Sequence, residues 1–252
     1  MAHMRIFVLI FAIWPFAARA EVVDFSADDG LVWDMQKLKL SMRKNATAKT
    51  PEYDLRADNI DADYREGKKI HHIFAQGSVR LVSANEEILS DTLDYDLDTE
   101  TIVLEPVGNP VLLLSDETKF SARGRVVYYK LKNYATAVSA FVENGGRTMA
   151  SDEARVEFKS VGGKNELSRI FASGHVKIVD GLEEMYGDKA EYNPKTGLAT
   201  LTDNVSFKKG DGAAIYGGKI IYDMKSGVAN ILPKSASDKV TGKFVTGGAA
   251  KK

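Results

Sequence analysis

The sequence predicts an all-β protein, an elongated open β-jelly roll made of stacked hairpin repeats. Three observations predict it: aromatic residues recur about every 30 residues, the residues around each of them alternate between apolar and polar, and turn-forming residues follow directly. A single hairpin of this length cannot bury its apolar face, so each repeat must stack on its neighbours. We therefore expect the function to lie along a continuous apolar interior or at the two ends of the stack.

Seven aromatic residues mark the repeats, at spacings of 31, 31, 34, 29, 34 and 30 residues. In the clearest repeat, Ala190 and Tyr192 alternate with charged residues, which predicts one apolar and one solvated face. Pro194 suits the second position of a β-turn and Gly197 supplies a left-handed residue, so this segment predicts a hairpin. The seven residues are Trp33, Tyr64, Tyr95, Tyr129, Phe158, Tyr192 and Tyr222.

A second pattern follows each returning strand. Gly77-Ser78-Val79, Gly174-His175-Val176 and Asp203-Asn204-Val205 place turn-forming residues directly before alternating ones. Weaker versions are Lys44-Asn45 and Gly108-Asn109. Such residues let a strand bend, so we expect each strand to continue into a second sheet whose apolar face packs against the first.

The repeats are also duplicated as a block. Residues 73–79 match residues 170–176, which lie 97 positions further on, and the register holds as far as Leu104 and Leu201. One segment, Met35 to Lys44, competes as a helix, but it also fits the strand pattern of the Trp33 repeat. We therefore expect a strand there.

The extreme N-terminus has the pattern of a cleaved signal peptide, residues 1–20. Arg5 precedes an apolar stretch from Ile6 to Phe16, and Ala18-Arg19-Ala20 supplies the small residues of a cleavage site. This stretch is shorter than the roughly 20 residues of a spanning helix, so an uncleaved anchor is the less favoured alternative. We expect an exported mature chain that begins near Glu21, with a stacked domain over residues 21–246 and a disordered tail over 247–252.

Composition excludes two classes of protein. The chain has no cysteine, so disulfides do not hold it together. It has 34 basic and 35 acidic residues, whereas a nucleic-acid-binding protein would show a basic excess.

We expect inward positions of the strands to line the interior. For each residue alone, simple core packing and contact with a lipid are both open, and two-sheet shells of this kind can leave a groove for an acyl chain. The candidate lipid-binding residues are Trp33, Tyr64, Val79, Leu81, Tyr95, Tyr129, Phe158, Phe171, Val176, Ile178, Tyr192, Leu201, Phe207, Ile220 and Tyr222.

Motifs for catalysis or metal binding were sought. Asp94, Asp96, Asp98 and Glu105 match a calcium-loop template, but its sixth position, which needs glycine, is Thr99. Adjacent His71 and His72 point to opposite faces of a strand and cannot share a metal. The sequence carries no nucleophile elbow and no phosphate loop. We expect no enzyme activity, no cofactor and no metal.

The recurring strand pattern resembles a known family, the OstA-like proteins of Gram-negative lipopolysaccharide transport. The resemblance runs from Phe25 to Val245 and is clearest in Leu55–Tyr64, Gly187–Phe207 and Val240–Phe244. It implies a periplasmic protein that binds the acyl chains of lipid A in its interior. It also implies copies stacked head to tail between the inner-membrane and outer-membrane components of the system. The cleavable signal favours the soluble bridge member, although more repeats than usual are present and the first, Asp24 to Lys49, fits poorly.

Both ends of the stack offer unpaired strands. Proline-free alternating segments at the two ends predict two different pairing surfaces, which join copies into an open filament rather than a closed dimer. A structural scaffold that pairs with other chains without carrying lipid is the alternative function. It would have a solidly packed interior. The edge residues are Val22, Val23, Phe25, Val240, Lys243 and Phe244.

Overall fold

The structure is a computed structural model that describes residues 23–51, 53–66, 69–83, 86–115, 118–161, 164–210 and 212–244. The expected signal peptide, the expected tail and Val22 lie outside the described residues. Within these ranges the chain forms antiparallel strands and one short 3-10 helix at Lys130–Lys132. The all-β fold of stacked hairpins predicted from the sequence is confirmed.

The strands follow one another along the chain with short connections. They are β1 Asp24–Ser26, β2 Leu31–Asp34, β3 Lys39–Lys49, β4 Asp54–Arg65, β5 Lys69–Val82, β6 Glu86–Asp96, β7 Thr101–Glu105, β8 Val111–Ser115 and β9 Thr118–Ala122. The remainder are β10 Val126–Tyr129, β11 Tyr134–Asn144, β12 Arg147–Val161, β13 Lys164–Asp180, β14 Glu183–Asn193, β15 Leu198–Lys209, β16 Ala214–Asp223, β17 Val228–Leu232 and β18 Thr241–Lys243.

Long strands build two facing sheets because each of them bends in the middle. The pairing of β4 with β5, for example, runs through residues 54–56, breaks, and resumes at residues 59–65. One half of each long strand therefore lies in a first sheet, which also contains β2, β7, β10 and β17. The other half lies in a second sheet with β1, β8, β9 and β18. The product is an open jelly roll, bent along one side, which we call the corner.

The corner forms at the positions predicted to bend. Register shifts fall between Gln76 and Val79, between Ser173 and Val176 and between Thr202 and Val205. The two residues inside each shift have positive φ, for example 81° and 49° at Gly77 and Ser78. Two successive left-handed residues turn the strand sharply, so the bend predicted at these signatures is confirmed. The Gly108-Asn109 signature instead lies in the loop that joins β7 to β8.

An acidic side chain on the preceding strand occupies several of these corners. Asn204 Nδ2 donates to Asp188 Oδ2 at 2.6 Å, and His175 Nδ1 lies 2.7 Å from Asp152 Oδ2. At Gly174 an added Cβ would lie 2.3 Å from the same Asp152 oxygen. These corners are therefore closed by side-chain contacts between neighbouring strands.

We expect Gly174→Ala to destabilise the fold by about 2–3 kcal/mol. Part of the loss is left-handed strain of about 1–2 kcal/mol, since φ is 72°. The rest comes from displacing Asp152, whose lost hydrogen bond is worth about 1 kcal/mol. Gly145→Ala is the matched control, because Gly145 has φ 56° but nothing within 4 Å of an added Cβ. Urea unfolding should show the larger loss at Gly174, and equal losses would contradict a role for the Asp152 contact.

Hairpin turns close the strands on the side opposite the corner. Gly197 has φ 79°, and its N–H donates to the carbonyl of Asn193 at 2.8 Å, so the turn predicted around Pro194 and Gly197 is confirmed. Leu38 and Glu100 occupy the left-handed position in their own turns, with φ 52° and 47°. Residues 35–38 form one such turn, so the strand predicted over Met35 to Lys44 is wrong for its first four residues and begins at Lys39, as β3.

Candidate functional site

The interior opens between two rims, which are the rows of turns that end the two sheets. The first rim, at the edge of the first sheet, includes the turns at residues 35–38, 97–100, 194–197 and 224–227. The second rim includes the connections at residues 50–53, 145–146 and 181–182. Because the sheets are joined at the corner, a molecule can enter the interior from the side only between these rims.

An apolar cleft lies between the rims in the N-terminal half. It has a volume of about 110 Å³ and is lined by both sheets. The only oxygens that its side chains can contribute are hydroxyls of Thr50, Tyr53 and Tyr95. The lining residues are Val23, Ala48, Thr50, Tyr53, Leu55, Ile70, Ile73, Leu81, Leu93, Tyr95, Leu97 and Ile102.

The cleft is electrically neutral, because its lining contains no charged side chain. Tyr95 is 4% exposed, and its burial raises the pKa of the phenol well above its ordinary value, helped by the nearby charges of Glu100 and Asp96. The hydroxyl therefore stays protonated at physiological pH. A neutral apolar wall suits a hydrocarbon chain and excludes a charged head group.

Most of the candidate interior residues point inward. Phe207 is half-buried on the inner face opposite Met185, which is fully buried. Leu81 and Tyr95 also line the cleft. The residues with buried side chains are Tyr64, Val79, Leu81, Tyr95, Phe158, Val176, Ile178, Tyr192, Leu201, Ile220 and Tyr222.

Trp33 lies on the inner side but is not enclosed. It pairs with Leu40 and its indole N–H donates to the Tyr64 hydroxyl at 2.5 Å, yet the side chain is 53% exposed. Strand β2 pairs only with β3 in the described part of the chain, so no further strand covers Trp33.

Two of the interior predictions are wrong, those for Tyr129 and Phe171. Phe171 pairs directly with Arg155 and Glu191 on the outer face, while its neighbours Ile170 and Ala172 are the buried residues. It lines a depression of about 650 Å³ on that outer face. A shift of one residue reverses the face of a strand, and adjacent apolar residues here fit either choice.

Tyr129 is displaced in the same way. Its ring stacks on that of Tyr134 with centroids 4.7 Å apart, and Lys132 lies over its face. The inward aromatic residue is Tyr128, which is 5% exposed and meets Phe158 edge to face at 6.2 Å. Sequence reasoning missed Tyr128, although the adjacent tyrosines made either register possible.

The aromatic pair of Tyr128 and Phe158 limits the cleft towards the C-terminal half. Ile102 is the last cleft residue along the first sheet, and Tyr128 is its direct partner on the next strand. Both rings of the pair are buried. The cleft thus ends at this level.

The rims come into contact in the C-terminal half. The Tyr222 hydroxyl, from β16 in the first sheet, donates to Asp180 Oδ2 at 2.7 Å. Asp180 ends β13 in the second sheet and also accepts from Arg147 Nε at 2.8 Å. Burial, with the hydrogen bond to Asp180 as the next cause, raises the pKa of Tyr222 well above its ordinary value.

Asp91 organises the corner where the strands are interrupted. Its Oδ2 accepts from the N–H groups of Val107, Gly108 and Asn109 at 2.5, 2.6 and 3.0 Å. These backbone hydrogen bonds lower the pKa of Asp91 to about 2, and the one from Gly108 has the largest effect, followed by those from Asn109 and Val107. The loop between β7 and β8 is therefore tied to β6 by an ionised carboxylate.

We expect Asp91→Asn to destabilise the fold by about 1 kcal/mol at pH 7, the scale of a lost capping carboxylate at a solvated site. A depressed folded-state pKa gives stability that is present above the ordinary value near 4 and lost as pH falls towards about 2. The wild-type and Asn proteins should therefore differ in Tm at pH 7 and converge near pH 2. A difference that stays constant across this range would contradict the proposed charge effect.

The calcium-template residues hold protein groups instead. Asp96 Oδ1 accepts from the N–H groups of Asp98 and Thr99 at 2.8 and 2.9 Å and so caps its own turn. Asp98 pairs with Arg65, and Glu105 with Arg125. In the part of the chain that the structure describes, no group of three or more acidic, histidine or cysteine side chains is arranged for a metal ion. Over the same residues, no helix has the length and apolarity needed to cross a membrane.

Both ends of the stack carry unpaired strand edges. Among the described residues, β1 and β2 pair only with β3 at one end, and β17 and β18 pair only with β16 at the other. Of the predicted edge residues, β1 contains Phe25, and β18 contains Lys243 and is followed by Phe244. Val23 precedes β1 and also lines the cleft. Val240 precedes β18. The prediction missed β2 and β17, which give each end a second edge.

Comparison with known proteins identifies part of the stack. Residues 141–228 match the sequence profile described as "LptA/(LptD N-terminal domain) LPS transport protein". No curated protein sequence matches the chain significantly. A similar solved structure is that of LptH, the LptA-homologous periplasmic component of the lipopolysaccharide transport device of Pseudomonas aeruginosa. It has 16% identity and a TM-score of 0.29, and the match covers 64% of this chain and 95% of that one. The profile match thus supports the resemblance to the OstA-like family, and residues 141–228 are the part of the chain that is similar to the LptA and LptD N-terminal domain family of lipopolysaccharide-transport proteins.

Proposed function

We propose that this protein takes part in lipopolysaccharide transport as a periplasmic carrier that holds acyl chains in the cleft between its two sheets. The observation that carries the proposal is the neutral apolar cleft that opens between the rims in a fold whose residues 141–228 match this family. Transfer of hydrocarbon from water into such a cleft is favourable in proportion to the area buried. The family match supports the class of ligand, and the cleft supports its acyl chains as the part that is bound.

The size of the cleft fits part of an amphiphile rather than a whole one. Pockets that enclose a drug-sized ligand measure roughly 300–1,000 Å³, whereas this cleft measures about 110 Å³. We infer that acyl segments enter between the rims while the charged head group stays in solvent, because no cation lines the cleft to pair with it.

The repeat duplication extends the family pattern beyond the matched segment. Residues 73–79 correspond to 170–176, and the strand bends at the same point of both copies, between Gln76 and Val79 and between Ser173 and Val176. The N-terminal half, which contains the cleft, is thus built on the same plan as the matched half. We therefore extend the proposal to the whole stacked domain, residues 21–246, after removal of a signal peptide over residues 1–20.

Copies of the protein would join head to tail. Each end carries two strand edges, one in each sheet. A second copy can therefore continue both sheets at once, whereas a single edge strand would allow only one sheet to continue. The ends differ from each other, so the contact is heterologous and open. In this proposed role the protein resembles the soluble bridge protein LptA. The partners at the two ends of the row would be the inner-membrane anchored component and the outer-membrane translocon of the transport system.

A photo-crosslinking residue at Ile102 should trap lipopolysaccharide, whereas one at Val103 should not. Ile102 lines the cleft and Val103, the next residue in β7, faces outward beside Asp94. Both positions are half-buried in the same strand, so they form a matched pair. The measurement is an immunoblot for lipopolysaccharide after irradiation of cells that express each variant.

Equal trapping at the two positions would argue for nonspecific surface binding. Trapping at neither position, with both proteins folded, would favour the alternative of an envelope scaffold that carries no lipid. Protein purified from its native envelope should also yield lipid A on extraction and mass spectrometry if the proposal holds.

A further inference from the structure

The two halves of the open side differ in a way that affects where a ligand can enter. In the N-terminal half the cleft between the rims is lined by apolar side chains such as Tyr53, Ile70 and Leu97. In the C-terminal half the gap between the rims is lined instead by Arg147, Asp180, Glu183, Lys209 and Tyr222. The open side thus exposes apolar side chains in the N-terminal half and charged side chains in the C-terminal half.

Asp180 connects the two rims directly. Its carboxylate accepts from Tyr222, which belongs to the opposite sheet and lies 42 residues away in sequence, and from Arg147 on its own sheet. Arg147 and Asp180 pair directly across β12 and β13, and both side chains are about four-fifths buried, with 21% and 20% of their side-chain surface exposed. A charge-assisted hydrogen bond in this partly desolvated position is stronger than one between exposed groups.

The hydroxyl of Tyr222 reaches the rim from within the core. Tyr222 is 1% exposed, so its ring fills the interior while only its oxygen meets the charged rim. The Glu183 carboxylate lies 3.4 Å from the same hydroxyl, and Lys209 in turn pairs with Glu183. These contacts hold the first sheet against the second at one level of the open side.

We infer that Asp180, Arg147 and Tyr222 form a latch across the open side, which excludes acyl chains from the C-terminal half and directs them to the cleft in the N-terminal half. Asp180 and Tyr222 are thus specificity-determining positions for where the ligand sits. The inference rests on the proposed function, since it concerns the access of the same class of ligand to the same interior.

Removal of the Tyr222 hydroxyl tests the latch with little disturbance of the core. Tyr222→Phe keeps the buried ring and removes the hydroxyl, with its hydrogen bond to Asp180 and its longer contact with Glu183. Asp180→Asn keeps the shape of the carboxylate and removes its charge. Glu184→Gln is the matched control, because Glu184 lies on the same hairpin but pairs with Lys177 and Tyr186 instead.

The first measurement is the distance between the rims. The chain has no cysteine, so Leu182→Cys and Ser226→Cys introduce the only two thiols, one on each rim, for spin labels. In the otherwise native protein we expect one narrow distance distribution. Tyr222→Phe and Asp180→Asn should add a longer component, and the Glu184→Gln control should not. An unchanged distribution in both latch variants would overturn the latch.

The second measurement is the position of a bound chain. A photoactivatable twelve-carbon fatty acid is irradiated with the full-length protein, and labelled peptides are mapped by mass spectrometry. Otherwise native protein should be labelled within residues 23–104, which contain the cleft lining, and the latch variants should gain label in residues 176–207 by about tenfold, the scale of one lost hydrogen bond to a charged group. Label that stays confined to residues 23–104 in variants with separated rims would refute the latch but not the proposed function. Absence of interior label in the native protein would instead refute the proposed function.

Discussion

Leu31→Asp should convert the proposed end-to-end oligomers into monomers that keep their fold. Leu31 lies on the inner face of β2 opposite Met42, which is fully buried, yet the Leu31 side chain is 50% exposed because no further strand covers it. A second copy that continues the sheet would bury it. Loss of one large apolar contact costs about 1.5–3 kcal/mol, and a carboxylate forced into the same place costs more. We therefore expect association to weaken by about 1,000-fold, equivalent to about 4 kcal/mol.

Val32→Asp is the control for this substitution. Val32 is the next residue of the same strand and is 62% exposed, but it faces outward opposite Ser41. Light scattering across a concentration series should show rising mass for the native protein and for Val32→Asp, and constant mass for Leu31→Asp. Truncation after Lys239 removes only β18 and leaves β17 as an edge, so we expect it to weaken assembly less than Leu31→Asp does. A native protein that stays monomeric at high concentration would contradict end-to-end assembly.

Ile220→Asp should unfold the protein or come close to it. Ile220 is fully buried in β16 between Leu201 and Ile231. Loss of its apolar contacts costs about 2–5 kcal/mol. A buried carboxylate without a partner costs about 3–5 kcal/mol more, the loss seen when one partner of a buried ion pair is removed. The sum is comparable to the total stability of about 5–15 kcal/mol that native proteins have.

Ile221→Asp tests whether this loss depends on the inner face. Ile221 follows Ile220 in the strand but faces outward between Thr200 and Asn230, where a carboxylate remains solvated. Urea unfolding should show a loss of about 1 kcal/mol or less for Ile221→Asp. Similar losses for the two variants would mean that the assignment of faces in β16 is wrong. Because Ile220→Asp disrupts folding, loss of transport in that variant would say nothing about ligand binding, and the Ile102 and Val103 pair is the better test of the cleft.

The corners and turns were predictable because local residues determine them. The left-handed pair Gly77-Ser78 turns the chain sharply within a strand, and Gly197 closes a hairpin turn for the same reason. The face of each strand was predictable only where apolar residues alternate strictly. At Ile170-Phe171 and Tyr128-Tyr129 two apolar residues are adjacent, so the choice between faces depended on pairing with neighbouring strands.

The site itself was less accessible to sequence reasoning. The cleft brings together residues from β3 to β7 whose side chains leave space between the sheets, and unfilled volume is a property of packing rather than of any motif. The contact between Tyr222 and Asp180 joins residues 42 positions apart across an open side, and nothing in either local sequence indicates the other. Patterns of period two describe each sheet well, but they carry no information on how far apart two sheets stand.

The corner contacts have a consequence for the dimensions of the molecule. Several corners are closed by a side chain of one strand against the bend of the next, as Asp152 does with His175, so a unit of two strands carries the contact that closes its own bend. The offset of 97 residues between the matching segments 73–104 and 170–201 corresponds to a block of three such units. Adjacent strands are about 4.8 Å apart, so each unit lengthens the molecule by about 10 Å and the block by roughly 30 Å. The length of the protein therefore changes in fixed increments, and in the proposed row of copies a longer chain crosses a given distance with fewer contacts between copies.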